Sequence, residues 1–459
     1  MEIVCVQGLG LVGAAMAIAV ASAKDEFDNP KYAVFGVDLP NDSGQYRANS
    51  LNHGKFPFST SDTKLLQSLE QAHQRGNLQA TTDPVVYSKA SIVVVDVQLD
   101  IAYLEDEPQL ELAGFQHAIE TLGKHIQPDT LVLVETTVPP GTCQKIVVPI
   151  LHMELAKRGI NGDSVHVAHS YERVMPGEDY LASITDYWRV FSGNTSKAAD
   201  SCERFLENVV NVEKFPMTRL ESTLASETAK VMENTYRATN IAFINEWSNY
   251  AEAVGIDLFA VVSAIGMRPT HSNIRYPGLG VGGYCLTKDP TFAPAAAKQF
   301  FGLELDFPFS RLAVRVNHEM PLNTVNRLIE LMGGSINQKK VLICGVSYKQ
   351  DVGDTRYSPS ELLVRSLSEH GAVVTCHDPF IKYWDEMEIN LVENVPQSHQ
   401  FDAVIFAVPH QYYRDFDLLS WAHPGIVILD ANNIFSLELR QQGRTNGLKI
   451  ESIGRGNGL

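Results

Sequence analysis

The chain has 459 residues, 44% of them hydrophobic and 20% charged, with a formal net charge of −17 at pH 7. That length exceeds what one hydrophobic core holds and sets an expectation of about three domains. The acidic balance excludes nucleic acid or an anionic membrane surface as the main partner, so an anionic ligand needs a local basic pocket. Six scattered cysteines form no CxxC pair and no disulfide-like spacing, which fits a reducing cytoplasm. No cluster of metal-ligand type is expected.

The first segment, Ile3 to Ala23, is apolar and ends Ala-Ser-Ala like a signal peptide, but it lacks a basic start and is broken by Gly8, Gly10 and Gly13. It reads instead as a strand, Glu2 to Val6, the turn Gly8-Leu9-Gly10-Leu11-Val12-Gly13, and a helix, Ala14 to Ala23. Strand, GxGxxG and helix together form a dinucleotide fingerprint, in which the glycines let a pyrophosphate approach the helix N-terminus. A second strand, Ala33 to Val37, ends in Asp38, an acid suited to the ribose 2′-OH of NAD and repulsive to the 2′-phosphate of NADP.

Strands follow at Ser91 to Val97 and Thr130 to Val134, each after a helical segment, as in a parallel sheet. The latter runs into Glu135-Thr136-Thr137-Val138-Pro139-Pro140-Gly141-Thr142. Here Thr137 lies where such sheets bind ligands, and Thr142 also reads as a helix N-cap. A strand at Ser164 to Ala168 leads to Ser170-Tyr171-Glu172-Arg173-Val174-Met175-Pro176-Gly177.

Ser222 to Val254 reads as one long helix. Glu227, Lys230, Asn234, Arg237 and Ile241 fall on one face of it. The stripe is either a solvated face or a functional one. Surrounding apolar residues, Val231, Met232, Ile241, Phe243, Ile244 and Trp247, suggest a largely buried helix, and its length suits a dimer interface. Next comes Pro277-Gly278-Leu279-Gly280-Val281-Gly282-Gly283-Tyr284-Cys285-Leu286-Thr287-Lys288-Asp289-Pro290. Its glycines admit a ligand or another backbone, and Cys285 is either a nucleophile activated by its surroundings or a small buried hydrophobe.

A further helical section includes Leu312 to Asn317. A third alternation of strands and helices has strands from Lys339 to Val346, Ala372 to Cys376, Ala403 to Ala407 and Ile426 to Leu429. It lacks GxGxxG but carries Ser347-Tyr348-Lys349, Asp354-Thr355-Arg356 and Asp378-Pro379. It reads as a second Rossmann-like domain holding another anionic ligand through Lys349 and Arg356. The fold class is therefore α/β, with two Rossmann-like parallel sheets joined by a helical central region. The expected divisions are 1–200, 201–325 and 326–459.

Taken in register, GLGLVG, ETTVPPGT, SYERVMPG, ETAKVMENTYRATNIAFINE, PGLGVGGYCLTKD and SYKQDVGDTRYSP resemble the UDP-glucose/GDP-mannose dehydrogenase family over nearly the whole chain. The resemblance implies oxidation of a nucleotide-sugar C6 alcohol to a carboxylate with two NAD per turnover, through a thiohemiacetal and thioester on Cys285. It gives Lys230 and Asn234 the developing oxyanion, Asp289 and Thr137 the water, and Glu172 the acid/base role. It implies cofactor contacts at Gly8, Gly10, Leu11, Val12, Gly13, Asp38, Thr137, Lys288 and Arg356. Substrate contacts are implied at Glu172, Arg173, Val174, Lys230, Asn234, Arg237, Tyr276, Gly282 and Lys349.

The Glu172-to-Gly177 run and Asn234-Thr235-Tyr236-Arg237 resemble the UDP-N-acetylhexosamine branch, whereas Lys288-Asp289 resembles the UDP-glucose and GDP-mannose branches. Tyr171, Tyr284, Thr287, His271 and the loop after the third strand, Gln98-Leu99-Asp100, depart from the family pattern. The expected partners are a nucleotide sugar and further copies of the chain, as a homodimer or higher homo-oligomer, with no nucleic acid and no membrane. Two other readings stay open on the residues alone. One is a two-electron dehydrogenase of hydroxyacid type, with a structural Cys285. The other is a non-catalytic nucleotide-sugar-binding protein.

Overall fold

The computed structural model describes residues 1–104, 107–175 and 177–456, so Pro176 of the Glu172-to-Gly177 run and the last three residues lie outside the described residues. The chain divides into two compact units, Met1–Glu233 with Thr291–Asp306, and Asn234–Pro290 with Phe307–Leu459.

The first unit is built on strands β1 (Glu2–Gln7), β2 (Tyr32–Val37), β3 (Leu78–Thr81) and β4 (Ile92–Val95). A hairpin follows, β5 (Asp100–Leu104) and β6 (Glu107–Glu111). The remaining strands are β7 (Leu131–Val134), β8 (His166–Tyr171), β9 (Val190–Gly193) and β10 (Thr218–Arg219). The main sheet runs β3-β2-β1-β4-β7-β8-β9-β10 and is parallel except between β8 and β9. Ile92–Val95 and Leu131–Val134 are buried at every position, as strands covered on both faces must be. Apolar clusters pack on both faces of the sheet. The strand order reverses between β1 and β4, which puts the ligand crevice of such a sheet at their C-terminal ends.

Two local expectations change here. Gly162–Ser164 forms a short 3₁₀ turn because the Asn161 side chain accepts the Asp163 N–H, so the strand starts only at His166 and continues through Tyr171. Asp100, read as part of a loop, begins the antiparallel hairpin, pairing with Glu111.

The second unit carries β11 (Lys340–Cys344), β12 (Val373–His377), a small ribbon of β13 (Tyr383–Trp384) and β14 (Ile389–Asn390), then β15 (Ala403–Phe406), β16 (Val427–Asp430) and β17 (Lys449–Ser452). Its main sheet is wholly parallel, in the order β12-β11-β15-β16-β17, with apolar clusters on both faces. The fold class expected from the sequence is the one observed.

The long helix spans Thr223–Val254, and the boundary between the units falls inside it. It is less buried than expected. Met232, Phe243 and Trp247 are 67%, 49% and 46% exposed, whereas the polar residues Ser226, Glu227, Lys230 and Asn234 are buried. The stripe thus turns inward over its first turns, where its groups find hydrogen-bond partners, and reaches the surface at Arg237.

Candidate active site and cofactor cradle

In the first unit the three fingerprint glycines serve different purposes. Gly8 has φ +90°, a left-handed backbone that favours glycine, and a Cβ there would come within 2.8 Å of the Asp96 carbonyl oxygen. A Cβ on Gly13 would lie 1.9 Å from the Gly8 carbonyl oxygen, so this glycine lets the helix Leu11–Ser22 pack against the turn. A Cβ on Gly10 would meet nothing within 4 Å, which leaves that backbone open to a ligand. Leu11 and Val12 form the first helical residues, and the Leu11 carbonyl accepts the Tyr180 hydroxyl at 2.7 Å. Asp38 is not a bare carboxylate. Arg47, from the helix Asp42–Asn52, donates Nε and Nη2 to it at 2.6 and 3.1 Å, a partner the sequence reading missed.

Beyond β7, Thr137 is half-buried. Thr142 does not cap a helix, because its hydroxyl donates back to the Pro139 carbonyl at 2.6 Å. The loop is tied instead by Glu227, whose carboxylate accepts the Gly141 and Cys143 N–H groups at 2.5 and 2.8 Å. Burial outweighs these donors and pushes the Glu227 acid up to about 7. Lys230, one turn on, is buried. It donates to the Glu172 carbonyl at 2.8 Å and stands 4.0 Å from the Glu172 carboxylate. The Val174 N–H donates to that carboxylate. Arg173 is turned onto Glu233 at 2.9 Å, and both Arg173 and Lys230 lie over the Tyr171 ring, each 5.3 Å from its centroid.

A buried acid cluster lies behind these groups. Glu135 pairs with Arg189 at 2.7 Å, both shielded from water. Asp96 follows β4 as Glu135 follows β7, in the register that sets Val95 beside Val134. Burial, reinforced by Glu135 and Glu172, holds the Asp96 acid well above the usual carboxylate range. His169 is pushed down to about 3 by burial and the Lys230 charge, so it is neutral, with Nδ1 2.7 Å from the Ser226 hydroxyl.

In the second unit Cys285 sits in the short helix Tyr284–Lys288, which follows Gly283 at φ +77°. Among the described residues it is the one exposed cysteine; Cys5, Cys143, Cys202, Cys344 and Cys376 are buried. Burial raises the thiols of those five, with Cys5 and Cys376 at about 12, which leaves them inert. Asn234 donates to the buried Asp289 at 2.7 Å, and the Lys288 ammonium lies 3.5 Å from the other oxygen of that carboxylate.

The glycines before Cys285 turn out to admit protein. A Cβ on Gly280 would meet Pro359 at 2.7 Å, and one on Gly282 would meet the Tyr357 carbonyl and Tyr348 at 2.7 and 2.8 Å. Thr287, where the family pattern has proline, donates to the Gly283 carbonyl at 2.7 Å and so closes the same helical turn. Tyr284 stacks edge-on with Tyr357 and lies under the Arg356 guanidinium, which forks onto Asp354 at 2.6 and 2.9 Å. Tyr357 holds φ +54°, a strained backbone for a bulky residue.

Lys349 and Arg237 come together electrostatically, burial and the Arg237 charge lowering the Lys349 pKa. Asp378 braces the loop that carries Lys349 by accepting the Val346 and Ser347 N–H groups at 2.8 and 3.1 Å and contacting His410 at 3.1 Å. Tyr276 stacks on Phe259 and lines a cavity of about 470 Å³ with Asp257, Arg414, Asn432 and Arg455.

Comparison with known proteins settles the family. The UDP-glucose/GDP-mannose dehydrogenase NAD binding domain matches residues 1–210, the central domain 224–319 and the UDP binding domain 342–437. The chain belongs to this family. It is 30% identical over 458 residues to a UDP-N-acetyl-D-mannosamine dehydrogenase of Methanocaldococcus jannaschii, covering 99% of this chain and 96% of that one. The solved UDP-D-ManNAc dehydrogenase of Pyrococcus horikoshii superposes with a TM-score of 0.80 at 26% identity, with 99% of both chains covered. A solved NDP-N-acetyl-D-galactosaminuronic acid dehydrogenase of Methanosarcina mazei gives the same TM-score and identity, with 99% of this chain and 95% of that one covered.

As a member of the UDP-glucose/GDP-mannose dehydrogenase family, the protein is an NAD-dependent nucleotide-sugar dehydrogenase. The residues of the first unit fit the dinucleotide, through the open face at Gly10, the left-handed turn at Gly8 and the acid at Asp38. Four elements escaped sequence reading: Arg47, the Glu227 tether, Asp96 and Arg189. The last two carried one available signal, a charge inside or beside an otherwise apolar strand.

Proposed function

We propose that this enzyme oxidises the C6 hydroxyl of a UDP-N-acetylhexosamine to the uronic acid in four electrons, with Cys285 as the covalent nucleophile. The exposure of Cys285 among five buried cysteines is the observation that carries the assignment. Bound NAD supplies the hydride acceptor for each of the two oxidations. The first oxidation removes a hydride from C6 and a proton from its hydroxyl, giving the aldehyde. The Cys285 thiolate adds to that aldehyde, forming the C–S bond of a thiohemiacetal. Loss of the second hydride gives a thioester, and water cleaves the C–S bond to release the carboxylate and the thiol.

Lys230 stabilises the oxyanions of these steps, supported by its buried position and its link to Glu172. Glu172 acts as acid/base, and Thr137 and Asp289 orient the water. Asn234 contributes a second amide N–H to the oxyanion while its first holds Asp289. Lys349 and Arg237 supply the basic pocket that an acidic protein needs for an anionic nucleotide. Lys288 and Arg356 are assigned to cofactor binding, and Arg173, Val174, Tyr276 and Gly282 to substrate binding.

The N-acetylated sugar is supported by the names of the relatives, which include UDP-N-acetyl-D-mannosamine and NDP-N-acetyl-D-galactosaminuronic acid dehydrogenases. The divisions 1–200, 201–325 and 326–459 serve as cofactor, central and nucleotide-sugar modules. The exposed aromatic run Phe243, Trp247 and Tyr250 on the long helix supports a homodimer. Six scattered cysteines without disulfide-like spacing in the sequence support a cytoplasmic site. Cys285→Ser tests the mechanism, and the expected outcome is loss of the second oxidation and of any acyl-enzyme detectable by mass spectrometry. Full activity with unchanged stoichiometry in that variant would refute the covalent route.

A further inference from the structure

Three neighbouring strands of the second sheet, β12, β11 and β15, lead into one cluster of polar side chains. Asp378 follows β12, Ser347 follows β11 and His410 follows β15. The strand order reverses between β11 and β15, which makes their C-terminal ends the ligand crevice of this sheet, and the loop after β11 carries Lys349. His410 is wholly buried.

The tautomer of His410 follows from its partners. Its Nδ1 lies 2.8 Å from the backbone N of Asp351, a group that donates and cannot accept, so Nδ1 is the unprotonated nitrogen. Nε2 then carries the hydrogen and points it at the Asp378 carboxylate and the Ser347 hydroxyl oxygen, each 3.1 Å away. The Ser347 hydroxyl donates onward to the Lys349 carbonyl at 3.0 Å. Asp351, at φ +56°, is held from both sides, its N–H by His410 and its carboxylate by the N–H of Gln411 at 3.0 Å. The neutral ring thus joins both ends of the segment 347–351, with Lys349 at its middle.

Apolar side chains would fill this volume without the cost of desolvating a carboxylate and an imidazole. What the polar groups add is a fixed conformation for a segment that is neither helix nor strand. We infer that His410 is a positioning residue for the substrate: by holding the segment 347–351 it keeps Lys349 where the nucleotide phosphates bind. The inference rests on the assignment of Lys349 to the nucleotide sugar and adds a group that acts through it.

A double-mutant cycle tests it, with calorimetric titration of UDP on the full-length protein and steady-state kinetics on a UDP-N-acetylhexosamine. Lys349→Ala is expected to weaken UDP at least about tenfold. His410→Gln keeps a donor toward Asp378 and loses the acceptor of the Asp351 N–H. It is expected to weaken UDP by about three- to tenfold and to raise KM in step, with kcat within about twofold of wild type. In the Lys349→Ala background the same change is expected to cost less than about twofold, because the group it positions is gone. Ser347→Ala removes only the hydroxyl bonded to the Lys349 carbonyl; it is expected to act in the same direction and serves if the glutamine variant does not fold. Equal effects with and without the lysine, or a fall in kcat with UDP affinity unchanged, overturn the inference and leave His410 a structural role. An unchanged UDP affinity in Lys349→Ala alone overturns the assignment of Lys349, and the inference with it.

Discussion

Replacing Glu227 by glutamine removes a proton-binding site that the fold has shifted. In the unfolded chain a glutamate titrates near 4.5, whereas burial lifts Glu227 to about 7 despite the N–H groups of Gly141 and Cys143 directed at it. Over that window the folded state holds a proton that the unfolded state has lost. The stability from this group is therefore full below 4.5 and is lost as pH rises through 7. At about 1.4 kcal/mol per pH unit, the part of this loss that falls between pH 5 and pH 8 amounts to roughly 3 kcal/mol. Glutamine cannot titrate, so the stability difference between wild type and Glu227→Gln should shift by that amount between pH 5 and pH 8, against the wild type. Thermal unfolding of both proteins across this range reads it as a change of about 6–12 °C in the difference of their midpoints, given the size of the first unit. A difference that is flat with pH, or that favours the wild type as pH rises, would refute the reasoning. The comparison cancels every other titrating group, which a pH profile of the wild type alone does not.

Other outcomes follow from the same structure. Arg189→Met should destabilise by about 3–5 kcal/mol, because it leaves Glu135 buried without its cation beside Asp96; a thermal midpoint unchanged within error would contradict the pairing. Gly10→Ala should fold with the wild-type midpoint, since its Cβ meets nothing, yet lose NAD affinity at least about tenfold in calorimetry. Gly13→Ala, whose Cβ would strike the Gly8 carbonyl, should instead lower the midpoint itself, and equal behaviour of the two variants would mean the turn is misread. Lys230→Met should cut kcat by about 10²–10³ with a much smaller effect on KM, as removal of an oxyanion donor does.

Much of the fold was legible because parallel strands buried on both faces read as unbroken apolar runs. Ile92–Val95 and Leu131–Val134 carry that signal, and the glycine turn before Leu11 marks the first crossover. β17 carried it weakly, since Lys449 and Glu451 interrupt Ile450 in a four-residue edge strand. The hairpin at Asp100 was hidden because its strands, Asp-Ile-Ala-Tyr-Leu and Glu-Pro-Gln-Leu-Glu, lack polar–apolar alternation and no Gly-containing turn signal stands between them.

The site was legible in its residue types and less so in their partners. Cys285, Lys230, Asn234 and Asp289 stand out by motif, but a sequence does not show that Arg47 reaches back to Asp38. Nor does it show that the glycines before Cys285 make room for Tyr348 and Tyr357. Thr142 shows the limit most simply. A threonine after Pro-Pro-Gly looks like an N-cap, and only the position of Glu227 reveals that a carboxylate from a distant helix has taken that work.

The central claim is four-electron oxidation of one nucleotide sugar. Its most direct test is the amount of NADH released per molecule of sugar, with UDP- and GDP-sugars supplied one at a time in limiting quantity. The account predicts two NADH per sugar, with a UDP-N-acetylhexosamine as the best substrate. One NADH per sugar, with an aldehyde or ketone as the end product, would contradict it and return Cys285 to a structural role.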